Sequence, residues 1–148
     1  MTKNLDISKP ETPILIVDDN HQYTNVLIKI LERSFGYKNI TAVDSPQDAQ
    51  RLLNEDSGRF KLLFVDYHFP DGETGGNLLK ALRDKHILEQ VVSFLITSEP
   101  NSDNVKEVQS LGVDGVVAKP FSRTALEQQL AKVQRSMSID EDDAFVID

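Results

Sequence analysis

The 148-residue chain contains no cysteine. That excludes a disulfide framework and a zinc–thiolate centre, and it is compatible with a reducing compartment. Histidine is scarce. The three present are His21, His68 and His86, so the softer transition metals have little to bind. No apolar run approaches the roughly 20 residues that span a bilayer. Residues 1–13 are polar, end in Thr12-Pro13 and lack the apolar stretch of a signal peptide. Positive charge is also short, with a net charge of −8. Much of that excess sits in Asp140, Glu141, Asp142, Asp143 and Asp148, and the remainder of the chain is close to balanced. No basic patch suited to nucleic acid is evident. The expectation is a soluble, cytoplasmic protein without direct nucleic-acid or membrane contact. Its length suits one domain with a self-sufficient core.

What is present is a regular alternation of short apolar runs and helical patterns. Ile14-Leu15-Ile16-Val17 is continuously apolar and stops at Asp18-Asp19, as in a strand buried on both faces. Tyr23, Leu27, Ile30 and Leu31 follow at helical spacing, with Gly36 as the stop. Ile40–Val43 is the second strand. Ser45-Pro46-Gln47-Asp48 opens the second helix: Ser45 caps, Pro46 suits the first position, and Asp48 favours the positive end. Leu62–Val65 is the third strand and ends at Asp66. A loop rich in Pro70, Gly72, Gly75 and Gly76 leads to a helix carrying Leu78, Leu79 and Leu82. The fourth strand, Val91–Ile96, ends at Thr97. Val105, Val108 and Leu111 mark the fourth helix, closed by Gly112. The fifth strand, Val113–Ala118, ends at Lys119-Pro120, and Ser122 caps a last helix with Leu126, Leu130 and Val133.

Five such βα units predict an α/β fold with a five-stranded parallel sheet. The expected order is 2-1-3-4-5, the flavodoxin-like, doubly wound arrangement. The expected organisation is a flexible N-terminus over residues 1–12, one domain over 13–135, and an acidic tail or linker over 136–148.

In a parallel sheet the polar strand ends share one edge. Strands one and three are neighbours at the topological switch point, so Asp18, Asp19 and Asp66 should converge there. At about 5 Å and an effective dielectric of 20, each carboxylate pair repels by roughly 3 kcal/mol. A hard divalent cation resolves the conflict. Mg²⁺ takes oxygen ligands, keeps waters, and pairs one or two carboxylates with a phosphate oxygen. One carboxylate can then act as nucleophile on a phosphoryl group, giving an aspartyl-phosphate. Charge that spreads over the phosphoryl oxygens needs donors nearby: the Lys119 ammonium, the Thr97 hydroxyl and N–H groups of the Tyr67–Phe69 turn. Lys119-Pro120 is a candidate cis peptide, a form accessible chiefly before proline.

Taken singly, each residue has a plainer reading. Asp18-Asp19 would be a helix cap with a solvated neighbour, Asp66 a polar strand terminus, Thr97 a β-branched strand residue, and Lys119 a surface lysine before a turn. Those readings do not explain why all of them fall on one edge.

The pattern resembles the receiver domain of two-component response regulators, over roughly residues 13–135. The matching residues are Val17-Asp18-Asp19-Asn20, Val65-Asp66-Tyr67-His68-Phe69-Pro70, Thr97 after an apolar strand, and Lys119-Pro120-Phe121. The resemblance implies that Asp66 is the phosphoacceptor and that Asp18 and Asp19 are metal acids. It implies that Thr97 is the switch hydroxyl, that Lys119 contacts the phosphate, and that the His68 backbone carbonyl completes the metal shell. It implies Mg²⁺, with Mn²⁺ able to substitute, and a histidine kinase or histidine phosphotransfer protein as donor. The output would be a downstream protein target, with a homodimer as an option, both through the helix 4–strand 5–helix 5 face. Such a chain is a phosphoacceptor that assists its own phosphorylation and dephosphorylation, not an enzyme.

Two departures stand out. Val116 occupies the position where the family usually has an aromatic, and the loop from Asp66 to Gly75 is one residue longer than usual. Two rival readings are a phosphate-independent receiver-like module and an aspartate-nucleophile phosphohydrolase. The second expects Asp-x-Asp after strand one, where Asp18-Asp19-Asn20 stands instead.

Overall fold

The computed structural model describes residues 5–56 and 58–134. Residues 136–148, expected as an acidic tail or linker, lie outside them. The elements are β1 (Ile14–Val17), α1 (His21–Phe35), β2 (Ile40–Val43), α2 (Pro46–Glu55), β3 (Leu62–Asp66), α3 (Gly75–Asp84), β4 (Val92–Thr97), α4 (Asp103–Gln109) and β5 (Gly115–Ala118). A last helix, α5, covers residues 123–134. Short 3₁₀ turns lie at Pro70–Gly72 and Leu88–Gln90. All strand pairings are parallel and the order is β2-β1-β3-β4-β5, as the sequence predicts. Among the described residues no helix is long and apolar enough to cross a membrane.

Alternation along the strands divides the core in two. Leu15, Val17, Leu63, Val65 and Leu95 face α2, α3 and α4, where Ala49, Leu53, Leu79, Leu82 and Val108 meet them. Ile14, Ile16, Phe64, Phe94 and Ile96 face α1 and α5, against Leu27, Leu31, Leu126 and Leu130. Because both faces are covered, β1 reads as wholly apolar, β3 is apolar up to its terminal Asp66, and β4 is interrupted before Thr97 only by the buried Ser93. The register aligns Val17 with Val43 and Val65, Asp66 with Ile96, and Thr97 with Ala118. The polar residues that end these runs therefore leave the sheet along one edge.

Several boundaries differ from expectation. β5 begins at Gly115, two residues late. Asp114 closes the approach to the sheet with its side chain, which accepts from Ser93 N–H at 2.9 Å, while its own N–H donates to the Ser93 carbonyl at 2.8 Å. α4 ends at Gln109, before Leu111, and Gly112 adopts φ +106°.

The expected flexible lead over residues 1–12 does not describe residues 5–12. Ile7 is 1% exposed and sits in the α1/α5-side core, with Leu5 packed against the same cluster. The Tyr37 hydroxyl donates to the Ile7 carbonyl. Lys38 N–H donates to the Pro10 carbonyl at 3.0 Å, and Asn39 Nδ2 donates to the Glu11 carbonyl at 3.3 Å. The segment is a clasp over the sheet edge opposite the acidic one. Ile7→Ala should lower unfolding free energy by about 2–4 kcal/mol, the usual range for a buried aliphatic truncated to alanine. Urea denaturation checks this, and a change below about 0.5 kcal/mol, the size usual for surface sites, would mean the clasp is loose in solution.

Candidate functional site

At the end of β1 the chain turns sharply. Asp18 N–H donates to the Val43 carbonyl at 3.1 Å, and Asp18 Oδ1 accepts from Asn20 N–H at 2.9 Å. Asn20 is the cap of α1: its Oδ1 accepts from Gln22 N–H at 3.0 Å and Tyr23 N–H at 3.2 Å. Neither aspartate caps the helix, so the plainer reading of Asp18-Asp19 does not hold. Asp18 is 2% exposed, whereas Asp19 faces solvent. Asp66, the last residue of β3, is 6% exposed. Carboxylate oxygens of Asp18, Asp19 and Asp66 lie within 4.8 Å of one another.

Lys119 leaves β5 directly toward this cluster. Its N–H donates to the Thr97 carbonyl at 2.9 Å, which extends the β4–β5 pairing. The Lys119–Pro120 peptide is cis. Lys119 Nζ stands 3.0 Å from Asp18 Oδ2 and 3.2 Å from Asp66 Oδ2, with only 9% of the side chain exposed. A solvated surface lysine is thereby excluded. The same ammonium lies 4.4 Å from the centroid of the Tyr23 ring.

Burial, then the charge of Asp18, push the Asp66 carboxyl up to about 6, and Lys119 only partly opposes them. For Lys119, burial disfavours the charge, but the bonds and charges of Asp18 and Asp66 outweigh it and hold the ammonium above its usual range. Asp18 Oδ2 is fully buried and, despite the Lys119 ion pair, has no hydrogen-bond partner of good angle among the described residues. Such an oxygen is costly unless another cation approaches it. Three convergent carboxylates, all oxygen donors, fit a hard divalent ion such as Mg²⁺.

Thr97 is 2% exposed and sits one residue beyond the register partner of Asp66. Its Oγ1 accepts from Glu99 N–H at 3.0 Å, which leaves the hydroxyl proton available as a donor. His68 is exposed, and its ring meets Tyr67 edge-on at 4.9 Å. Among the described residues, its side chain is not part of the acidic metal-ligand cluster.

The loop after Asp66 folds into a miniature hairpin. His68 pairs antiparallel with Thr74, and Phe69 N–H donates to the Glu73 carbonyl at 3.1 Å. Asp71 and Gly72 both take positive φ, at 64° and 76°, as a type I′ turn requires. Gly75 is required by a close approach: a Cβ there would lie 2.1 Å from the Asp66 carbonyl oxygen. The helix α3 can thus start against the backbone of the acidic site only with glycine at its first position. Val116 is half-buried and packs against the core on the α2–α4 side of the sheet.

The family model of the response regulator receiver domain matches residues 14–131. This chain belongs to the response regulator receiver domain family. Chemotaxis protein CheY of Pseudomonas aeruginosa is 35% identical over 120 residues, covering 81% of this chain and 94% of the relative. Among solved structures, Vibrio cholerae CheY4 superposes with a TM-score of 0.71 at 22% identity, over 83% of this chain and 98% of that one. The Saccharomyces cerevisiae Ssk1 receiver domain, solved in complex with the histidine phosphotransfer protein Ypd1, is also similar. Its TM-score is 0.66 at 23% identity, over 81% of this chain and 86% of that one. The two structural likenesses speak for the fold. The family model and the sequence relative place the chain among two-component signalling receivers, which are regulatory phosphoacceptors and not classical enzymes.

The electrostatics of this receiver domain have a consequence for stability. The folded Asp66 carboxyl holds its proton up to about pH 6, an unfolded one to about 3.8. The folded state is therefore favoured at pH below 4, and that contribution is lost as pH rises through 6. Charged Asp66 then costs up to about 3 kcal/mol without metal. Asp66→Asn should stabilise the metal-free protein by about 1–3 kcal/mol at pH 7.5, with the gain vanishing near pH 4. Chemical denaturation in chelator at both pH values is the check, and a gain independent of pH would contradict the assignment of the raised carboxyl to Asp66.

Proposed function

We propose that this receiver accepts a phosphoryl group on Asp66 from the phosphohistidine of a histidine kinase or histidine phosphotransfer protein. The observation that carries this reading is the buried Lys119 ammonium, held 3.0 Å from Asp18 and 3.2 Å from Asp66. No structural need explains two carboxylates pressed together at a sheet edge. A phosphoacceptor with its charge-neutralising partners does.

Asp66 is ionised above about pH 6, so near pH 7 its carboxylate is available as nucleophile. An Asp66 oxygen forms the new O–P bond as the P–N bond to the donor histidine breaks, and the imidazole leaves with the electron pair and takes a proton. Lys119 moves from its ion pair with Asp66 to a phosphoryl oxygen, and the Thr97 hydroxyl donates to another. Asp18, Asp19, Asp66 and the His68 backbone carbonyl would hold Mg²⁺, or Mn²⁺ in its place. When bound, that ion supplies positive charge for the phosphoryl oxygens.

The donor class is supported by the yeast Ssk1 receiver, crystallised with a histidine phosphotransfer protein. Phosphorylation would shift a pre-existing equilibrium between two conformations. Thr97 would draw the β4–α4 loop with it, because Glu99 N–H hangs on its hydroxyl oxygen. The readout would be contact with a downstream protein through the α4–β5–α5 face, in the cytoplasm. With Val116 in place of an aromatic, the output would rest on loop movement and not on a ring that changes rotamer at that position.

Intact mass after incubation with Mg²⁺ and a small-molecule phosphodonor tests the reading. One phosphoryl group should add to the wild type, and none should add to Asp66→Asn or in the presence of chelator. No addition to the wild type under any donor would favour a phosphate-independent interaction module instead.

A further inference from the structure

The Lys119 ammonium touches three things: two carboxylates and the face of an aromatic ring. The carboxylates belong to the site as proposed, whereas Tyr23 has so far only a place in a helical pattern. We propose that Tyr23 is a positioning residue for Lys119, holding the ammonium by cation–π contact while its carboxylate partners change. This rests on the reading of Asp66 as phosphoacceptor.

The geometry supports more than incidental packing. The 4.4 Å separation falls inside the roughly 6 Å range of the interaction, which is strongest when the cation is desolvated. Lys119 meets that condition, being almost wholly shielded from water. Both the ring and the backbone of Tyr23 are anchored. Phe121 meets it edge-on, with centroids 5.9 Å apart and planes at 88°. Tyr23 N–H is bonded to Asn20 Oδ1, and Asn20 N–H to Asp18 Oδ1. The contacts close a circuit from Asp18 through Asn20 and Tyr23 to Lys119 and back to Asp18.

The circuit has a functional consequence. Asp18 and Asp66 would turn part of their charge toward a divalent ion held in the acidic cluster. When Asp66 is phosphorylated, its carboxylate becomes a neutral acyl link and the negative charge moves to the phosphoryl oxygens. Both anionic partners of Lys119 weaken at the moment its position matters. The Tyr23 face is neutral, lies outside the metal-ligand set and does not take part in the exchange. It keeps the ammonium beside Asp66, where a phosphoryl oxygen arrives.

The test compares wild type with Tyr23→Phe, Tyr23→Leu and a series of ring-fluorinated phenylalanines at position 23. Two quantities are read: the rate of Asp66 phosphorylation by a small-molecule donor with Mg²⁺, and the proton shift of the Lys119 Hε group by NMR without donor. Tyr23→Leu should slow phosphorylation by about 3- to 30-fold and abolish the upfield ring-current displacement of Lys119 Hε. Tyr23→Phe should restore both. Added fluorines should slow the reaction stepwise, because they drain the ring face of negative charge while leaving its shape nearly intact. In a Lys119→Met background Tyr23→Leu should add no further loss. A Tyr23→Leu rate equal to wild type would overturn the proposal, as would a fluorine series that stays level with Tyr23→Phe, since packing alone would then explain the contact. A wild type that takes no phosphoryl group at Asp66 would overturn the phosphoacceptor reading and this one with it, whereas a normal wild-type rate beside an unaffected Tyr23→Leu would overturn this one alone.

Discussion

Two buried carboxylates placed side by side repel each other, and in this domain one ammonium stands between them. Asp18 and Asp66 end adjacent parallel strands, and Lys119 reaches both from β5. The arrangement is poised and not relaxed. The Asp66 carboxyl remains shifted toward its neutral form, and Asp18 Oδ2 lacks a well-aligned donor. An additional cation would relieve both. A site built for stability alone would place apolar residues here, since a buried ion cluster seldom outperforms them. The residual strain of charge is what a phosphoryl group and its metal would exploit.

The rest of the fold exists to hold that conflict in place. β1, β3 and β4 are sealed on both faces by apolar side chains from α1 and α5 on one side and α2, α3 and α4 on the other. Their ends can move little without disturbing a close-packed interior. Gly75 lets α3 start directly against the Asp66 backbone, and Asn20 anchors α1 so that the side chains of Asp18 and Asp19 remain free of capping duty. At the opposite edge, residues 5–12 close the sheet through Ile7 and Tyr37.

Much of this is legible in the sequence for a simple reason. Strands buried on both faces have no polar face, so each reads as an unbroken apolar run, and the residue that breaks the run marks the sheet edge. Asp18 and Asp66 were visible that way, Thr97 ends a run interrupted only by Ser93, and Lys119 ends the half-buried edge strand β5. Other features depend on distances between remote segments and leave no local mark. Ile7 has only Leu5 for apolar company in its segment, too short a pattern to announce its burial. Gly75 looks like any loop glycine until the Asp66 carbonyl is placed beside it. Asn20 competes for the cap with two aspartates that are equally good candidates by type. Tyr23 fits a helical pattern whose other members are core residues, and only the fold brings its ring under Lys119. The length of the loop after Asp66 could be counted, but the miniature hairpin it forms could not be foreseen.

The electrostatic conflict between Asp18 and Asp66 is open to direct measurement by carboxyl-carbon NMR of the metal-free protein. The Asp66 carboxyl should titrate with a midpoint near 6, and Lys119→Met should move the midpoint higher, because the opposing ammonium is gone. A midpoint close to the usual 3.8, unmoved by Lys119→Met, would show that neither the repulsion between Asp18 and Asp66 nor the restraint by Lys119 shapes the site.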